Sequence, residues 1–185
     1  MRQLLARIAN DGDRAGNVVN RIRDLLKKAP PQMETLHVNE AISEVIELTR
    51  NEAMKNGVSV QTQLADSLPA VKADRTQLQQ VILNLILNAV QAMSEGDLTL
   101  RELRVSTSAN GSGSVLLSVR DSGPGIRPQN LDRLFDPFYT TRSAGMGMGL
   151  AICRSIVEGH GGRIWATANV PRGAAFHFTL PAAPE

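Results

Sequence analysis

The 185-residue sequence has a single cysteine, Cys153, so no disulfide can close within the chain and no cysteine-based metal cluster can form. A reducing, cytoplasmic setting is therefore expected, whether or not a full-length protein carries a membrane anchor. Aromatic residues are scarce at 3%, with one Trp, one Tyr and four Phe, so aliphatic side chains must fill the core. No apolar run reaches the roughly 18 residues of a membrane span, and the N-terminus lacks the apolar stretch of a secretory signal. Any membrane tether is expected outside this sequence.

A strong net charge is lacking too. The formal charge is +2, but residues 1 to 30 hold seven Lys or Arg against three Asp, a net +4 that leaves −2 for the remainder. A solvated helix face accounts for that basic stretch. Basic and aromatic residues are not interleaved as a nucleic-acid-binding sheet requires, so no nucleic acid partner is expected. The 42% apolar and 21% charged content is that of an ordinary globular protein, and the length suits one domain plus an extension.

In that extension Leu4, Ile8, Asp11, Ala15, Val18, Ile22, Leu25 and Ala29 recur at alternating spacings of four and three, which is a heptad seam. Leu5, Val19 and Leu26 widen it, so the helix needs helical partners to cover the stripe. Arg7, Arg14, Arg21 and Lys28 line one flank, which suits solubility and ion pairs with a neighbouring helix. Pro30 and Pro31 end the helix, because proline has no N–H to donate and biases its predecessor away from helix. The expected domains are thus 1–31 and 32–185.

Beyond this boundary helices and strands alternate. A short strand near Leu36 leads to Asn39 as the expected N-cap of a helix running to about Asn56 and stopped by Gly57. Strands follow at 58–64 and 71–73, and Asp74 caps a second helix to about Met93. Alternating apolar residues predict strands near 101–108 and 114–120, then a short helix near 128–134, a helix ending at Gly159, and strands at 162–168 and 174–180. Antiparallel strands with helices on one face predict an α+β fold, a two-layer α/β sandwich, preceded by one long bundle-forming helix.

Three pieces carry chemistry. In the mostly apolar helix Gln80 to Ala89, Asn84 and Asn88 stand four apart and share one face. An unpaired buried amide costs roughly 1–3 kcal/mol, so both need partners: either a structural hydrogen bond or a cleft where two hard oxygen donors ligate Mg²⁺. The strand ending at Arg120 delivers Asp121 into Ser122-Gly123-Pro124-Gly125-Ile126. That is either a plain turn or a carboxylate fixed to accept from the exocyclic amine of adenine. The third piece runs from Phe135 through Phe138, Thr141 and Arg142 to Gly145-Met146-Gly147-Met148-Gly149-Leu150. Its glycines open a helix whose free N–H groups and dipole favour phosphate, with Arg142 as an added cation. No Walker loop is present.

In this order the pieces resemble the N, G1, F and G2 boxes of the ATP-binding (Bergerat) fold shared by sensor histidine kinases, gyrase-type topoisomerases, mismatch-repair ATPases and heat-shock chaperone ATPases, a mixed sheet packed on three helices. The runs Asn84-Leu-Ile-Leu-Asn88-Ala, Asp136-Pro-Phe-Tyr-Thr-Thr-Arg142 and His160-Gly161-Gly162-Arg163-Ile164 look most like a bacterial two-component sensor histidine kinase. The wording of the lid is similar to the rhizobial oxygen-sensor subgroup.

This resemblance implies Mg²⁺ and ATP as cofactors, with Asn88 the main Mg²⁺ ligand and Asn84 assisting it. It also implies that Asp121 reads adenine in a pocket shaped by Gly123, Gly125 and Ile126. Gly145, Gly147 and Gly149 would wrap the phosphates, with Met146, Met148, Leu150, Thr141 and Arg142 lining the lid and Phe135 and Phe138 anchoring its base. Met146 stands where the family more often has threonine, and Ala174 where a hydroxyl residue usually follows the glycine. The implied partners are a response regulator receiver domain, a phosphoacceptor helix of the same protein and a second copy dimerised through the N-terminal helix.

A kinase of this type transfers the γ-phosphoryl group to a histidine on the first hairpin helix. Only His37, His160 and His177 occur, none in such a context, so no catalytic residue is expected in the chain. Residues 1–31 are expected to be the second hairpin helix. Two other readings are a conformational ATPase, which needs a glutamate that the stretch Leu78 to Asn88 lacks, and a non-catalytic nucleotide-binding dimerisation module.

Overall fold

The computed structural model describes residues 31–94, 100–111, 113–140 and 146–184. The expected heptad helix within residues 1–30 lies outside the described residues, as do Thr141, Arg142 and Gly145. Pro31–Glu185 forms one compact unit.

Its elements are β1 (Met33–Leu36), α1 (Val38–Lys55), β2 (Ser59–Gln63), β3 (Val71–Asp74), α2 (Arg75–Ser94), β4 (Glu102–Asn110), β5 (Ser114–Asp121), a 3-10 turn (Pro128–Arg133), α3 (Gly149–Gly159), β6 (Arg163–Ala168) and β7 (Ala174–Pro181). Five strands form one sheet in the order β2-β4-β5-β7-β6, while β1 and β3 pair separately. Helices pack on one face of the sheet, as the two-layer expectation requires. The sheet is mixed, as the resemblance implies and the strand pattern alone does not: β2 runs parallel to β4, from Ser59 opposite Glu102 to Gln63 opposite Ser106, and the other pairs are antiparallel.

Alternation along β5 explains the layering. Val115, Leu117 and Val119 join the core, where they meet Leu103 and Val105 of β4 and Phe176, Phe178 and Leu180 of β7. From the helix layer Ile42, Val45, Val81, Ile82, Leu85, Ile86 and Met93 fill the same core, each at most 1% exposed. The aliphatic filling follows from the scarcity of aromatics; Phe135 and Phe176 meet edge to face at 6.4 Å.

Two helix starts differ in kind. Asp74 caps α2 as expected, its Oδ1 accepting the Gln77 N–H at 3.0 Å. Asn39 does not cap α1: the helix begins two residues earlier, with His37 at the cap position and no side-chain hydrogen bond there. The Asn39 amide instead donates to the Ala65 carbonyl at 2.9 Å and accepts from the Thr107 hydroxyl at 3.0 Å, which ties α1 to β4.

Candidate nucleotide site

Helix α2 buries Leu78, Val81, Ile82, Leu85, Ile86, Ala89, Val90 and Met93, a stripe at spacings of three and four. Asn84 and Asn88 lie outside that stripe and are half-buried, so their amides sit at the edge of the core rather than within it. Asn84 hydrogen-bonds the thiol of Cys153, a fully buried residue of α3 whose Sγ also lies 3.9 Å from the Val81 carbonyl. Burial pushes that thiol up to about 12, which makes it a neutral packing group rather than a nucleophile.

The C-terminal end of α2 meets the Asp121 turn. Asp121 ends β5 and is 3% exposed, and its Oδ1 accepts the N–H groups of Gly123 at 2.8 Å and Ala174 at 3.2 Å. Ala174 thus serves the site through its backbone, a role that needs no hydroxyl. The Ser122 hydroxyl accepts from Glu102 N–H at 2.8 Å and donates to the Leu100 carbonyl at 3.1 Å. A side chain at Gly123 would approach Met93 Cγ at 3.5 Å and Ala92 Cβ at 3.6 Å, so the turn lies directly on the asparagine helix.

Two residues that the sequence reading missed close this turn from the loop between β6 and β7. Asn169 donates to the Asp121 carbonyl at 2.9 Å, and Arg172 Nε donates to the Gly123 carbonyl at 3.0 Å. Gly173, at φ 108°, comes so near that a Cβ there would lie 1.8 Å from the Asp121 carbonyl oxygen. Gly125 approaches the same loop, its Cβ position 3.0 Å from the Gly173 oxygen, and Ile126 packs half-buried against the core.

On the other side, Phe135 is buried as an anchor, but Phe138 is not: it is 75% exposed and holds φ at 64°. The expectation that both phenylalanines anchor the lid base is corrected for Phe138. What meets that backbone is Gly147, whose Cβ would lie 2.5 Å from both Phe138 C and Tyr139 O. Met146, Met148, Gly149 and Leu150 are half-buried, and α3 starts at Gly149, around which a Cβ would meet nothing within 4 Å. Like any helix start, α3 has first-turn N–H groups without intrahelical partners, a setting that favours an anion.

None of the histidines fits an acceptor site. His160 Nε2 accepts the Asp74 N–H at 2.9 Å, so the proton is on Nδ1, which donates to the Ile156 carbonyl at 2.7 Å. His177 engages Ser118 at 2.7 Å and Thr167 at 3.1 Å and stacks on Trp165, with its basicity lowered by burial and then by the charge of Arg120. His37 is exposed at the start of α1. Among the described residues no cluster of three His, Cys, Asp or Glu could hold a metal, and no helix is long and apolar enough to cross a membrane.

Residues 73–184 match the model of the histidine kinase-, DNA gyrase B- and HSP90-like ATPases. The chain belongs to this family. It is 38% identical over 181 residues to the sensor histidine kinase TmoS of Ectopseudomonas mendocina, covering 97% of this chain and 19% of that protein. It is also 38% identical to the sensor protein FixL of Bradyrhizobium diazoefficiens, over 98% of this chain and 35% of that one. The chain thus spans only a fifth to a third of these relatives' length. Among solved structures it resembles full-length ShkA in complex with AMPPNP, at TM-score 0.83 and 26% identity, covering 100% of this chain and 39% of ShkA. It also resembles the histidine kinase ThkA in complex with the response regulator TrrA, at TM-score 0.79 and 31% identity, over 96% of this chain and 50% of ThkA.

Proposed function

We propose that this chain is the ATP-binding catalytic part of a sensor histidine kinase, which transfers the γ-phosphoryl group to a histidine outside these residues for passage to a response regulator. The observation that carries this reading is the buried Asp121 carboxylate, held on one oxygen by two backbone N–H groups and set against the end of the asparagine helix. A carboxylate so fixed accepts from the exocyclic amine of adenine without having to reorganise. At the other end of the pocket the N-terminus of α3 offsets charge on the triphosphate.

Asn84 and Asn88 would hold Mg²⁺, since both offer neutral, hard oxygen donors on one half-buried helix face. When bound, Mg²⁺ neutralises charge developing on the phosphate oxygens. The chain's own part is to position: Asp121 sets the base, the asparagine helix sets the phosphates, and α3 with the preceding glycines shields the reaction. Residues 1–31 serve as the second helix of a dimerisation and phosphotransfer hairpin and 32–185 as the catalytic domain. The ThkA–TrrA complex supports a receiver domain as the partner.

Calorimetry with Mg²⁺ and a non-hydrolysable ATP analogue tests this reading. The wild type binds; Asp121→Asn, which places an amide donor against a donor, weakens binding on the order of a hundredfold; Asn88→Ala removes the Mg²⁺ dependence. With γ-labelled ATP the chain alone stays unlabelled and labels an added acceptor-helix fragment. Rapid autonomous hydrolysis without transfer would move the assignment to a conformational ATPase.

A further inference from the structure

The two helices that frame the pocket, α2 and α3, are joined at one backbone group. Asp74 is both the last residue of β3 and the cap of α2, and four hydrogen bonds meet on it or on the imidazole it touches. Oδ1 accepts from Gln77 N–H at 3.0 Å, which fixes the first turn of α2. Oδ2 accepts from Gln32 N–H at 2.8 Å, which fixes the chain just after the Pro30-Pro31 boundary. Its own N–H is given to His160 Nε2 at 2.9 Å. The imidazole then hands its Nδ1 proton to the Ile156 carbonyl at 2.7 Å, in the last turn of α3.

His160 is 7% exposed, and its ring spans 86 residues of sequence to reach Asp74. Ile156 O also accepts the His160 backbone N–H at 3.1 Å, so the backbone and the ring of one residue close the end of α3 together. Nothing in the pocket chemistry calls for an imidazole here. A residue needed only to fill space would be aliphatic like the surrounding Ala73, Leu78, Val81, Ile156, Val157 and Leu180. An imidazole in one tautomer is the side chain that can accept from a strand end and donate to a helix end across about one ring width.

We infer that His160 is a positioning residue for the nucleotide site. By bridging Asp74 to the end of α3, it fixes α3 against the helix that carries Asn84 and Asn88. The inference rests on the proposed nucleotide function. It makes Asp74 the residue on which three segments meet, because one carboxylate and one N–H serve the chain at Gln32, the start of α2 and, through His160, the end of α3.

The test compares His160→Ala with His160→Gln, whose carbonyl can accept the Asp74 N–H in place of Nε2, by affinity for Mg²⁺ with an ATP analogue, by thermal midpoint and by exchange of the Asp74 amide. His160→Ala is expected to bind about tenfold more weakly, with the Asp74 amide exchanging faster. His160→Gln is expected to return affinity to within about threefold of wild type and to restore amide protection. Equal affinity loss in both variants, tracking only a common fall in midpoint, makes the imidazole a packing group and overturns the inference. Wild-type affinity in His160→Ala overturns it as well. A wild-type chain that binds no nucleotide overturns the proposed function and this role together, whereas the first two outcomes defeat this role alone.

Discussion

The two ends of the candidate pocket are built in opposite ways. At the Asp121 end every approach is backbone against backbone or a side chain clamped to backbone: Gly173 on Asp121, Arg172 on Gly123, Asn169 on Asp121 and Ser122 on Leu100. At the Phe138 end, among the described residues, one glycine touches one strained peptide, the neighbouring aromatic ring is exposed, and a Cβ on Gly149 at the start of α3 would meet nothing within 4 Å. A base-reading end that is already in shape gains specificity from rigidity, since a fixed donor or acceptor refuses the wrong base edge. An end that must admit a triphosphate and later release a diphosphate gains from having fewer such locks.

The contrast predicts that glycine substitutions at the two ends fail differently. Gly173→Ala brings a methyl carbon to 1.8 Å from the Asp121 carbonyl oxygen at φ 108°, where neither partner can retreat. It should destabilise the domain by roughly 3 kcal/mol or more, lowering the melting midpoint on the order of 10 °C in a thermal scan. Gly147→Ala meets the Phe138–Tyr139 peptide at 2.5 Å, but at the end with fewer locks. At φ 66° its midpoint should fall by only a few degrees, while affinity for the ATP analogue falls about tenfold. If the two variants lose stability alike, the contrast between the ends is wrong.

Cys153 reports on the seam between α3 and α2, because it lies on the buried face of α3 and touches α2. Its thiol, fully buried and pushed up to about 12, should react with a disulfide reagent only when α3 lifts. The native chain is therefore expected to label slowly and more slowly still with nucleotide bound, and the unfolded chain at once. Rapid labelling of the native protein would place α3 among the loosely held parts.

How much of this was legible in the sequence follows the range of each interaction. The asparagine pair, the strand that delivers Asp121 and the Asp74 cap are written in spacings of two to four residues, and they stand where the pattern puts them. The parallel pairing of β2 with β4 was not legible in the strand pattern, because a period of two fixes which face a residue takes but not the direction of its neighbour; only the family resemblance implied a mixed sheet. Asn39 looked like a cap because its short polar side chain suits one; a tertiary bridge to Thr107 of β4 won instead. Asn169 and Arg172 clamp a turn 48 and 49 residues away, the thiol of Cys153 meets Asn84, and His160 reaches Asp74, all contacts that only folding creates.

The smallest expected effect tests the Phe138 end by its sign. Elsewhere in a chain alanine is more stabilising than glycine, because glycine leaves the unfolded state more freedom, by about 0.4–1 kcal/mol. At φ 64° the order should reverse, since a Cβ in the left-handed region costs roughly 1–2 kcal/mol. Phe138→Gly should therefore be more stable than Phe138→Ala by about half to one kcal/mol. Little burial is lost in either variant, because the ring is 75% exposed. Denaturant melts of the pair, with equal slopes, measure the difference directly. Alanine above glycine would mean that residue 138 relaxes out of the left-handed region in solution. The strained peptide on which Gly147 rests would then not be a fixed feature of that end.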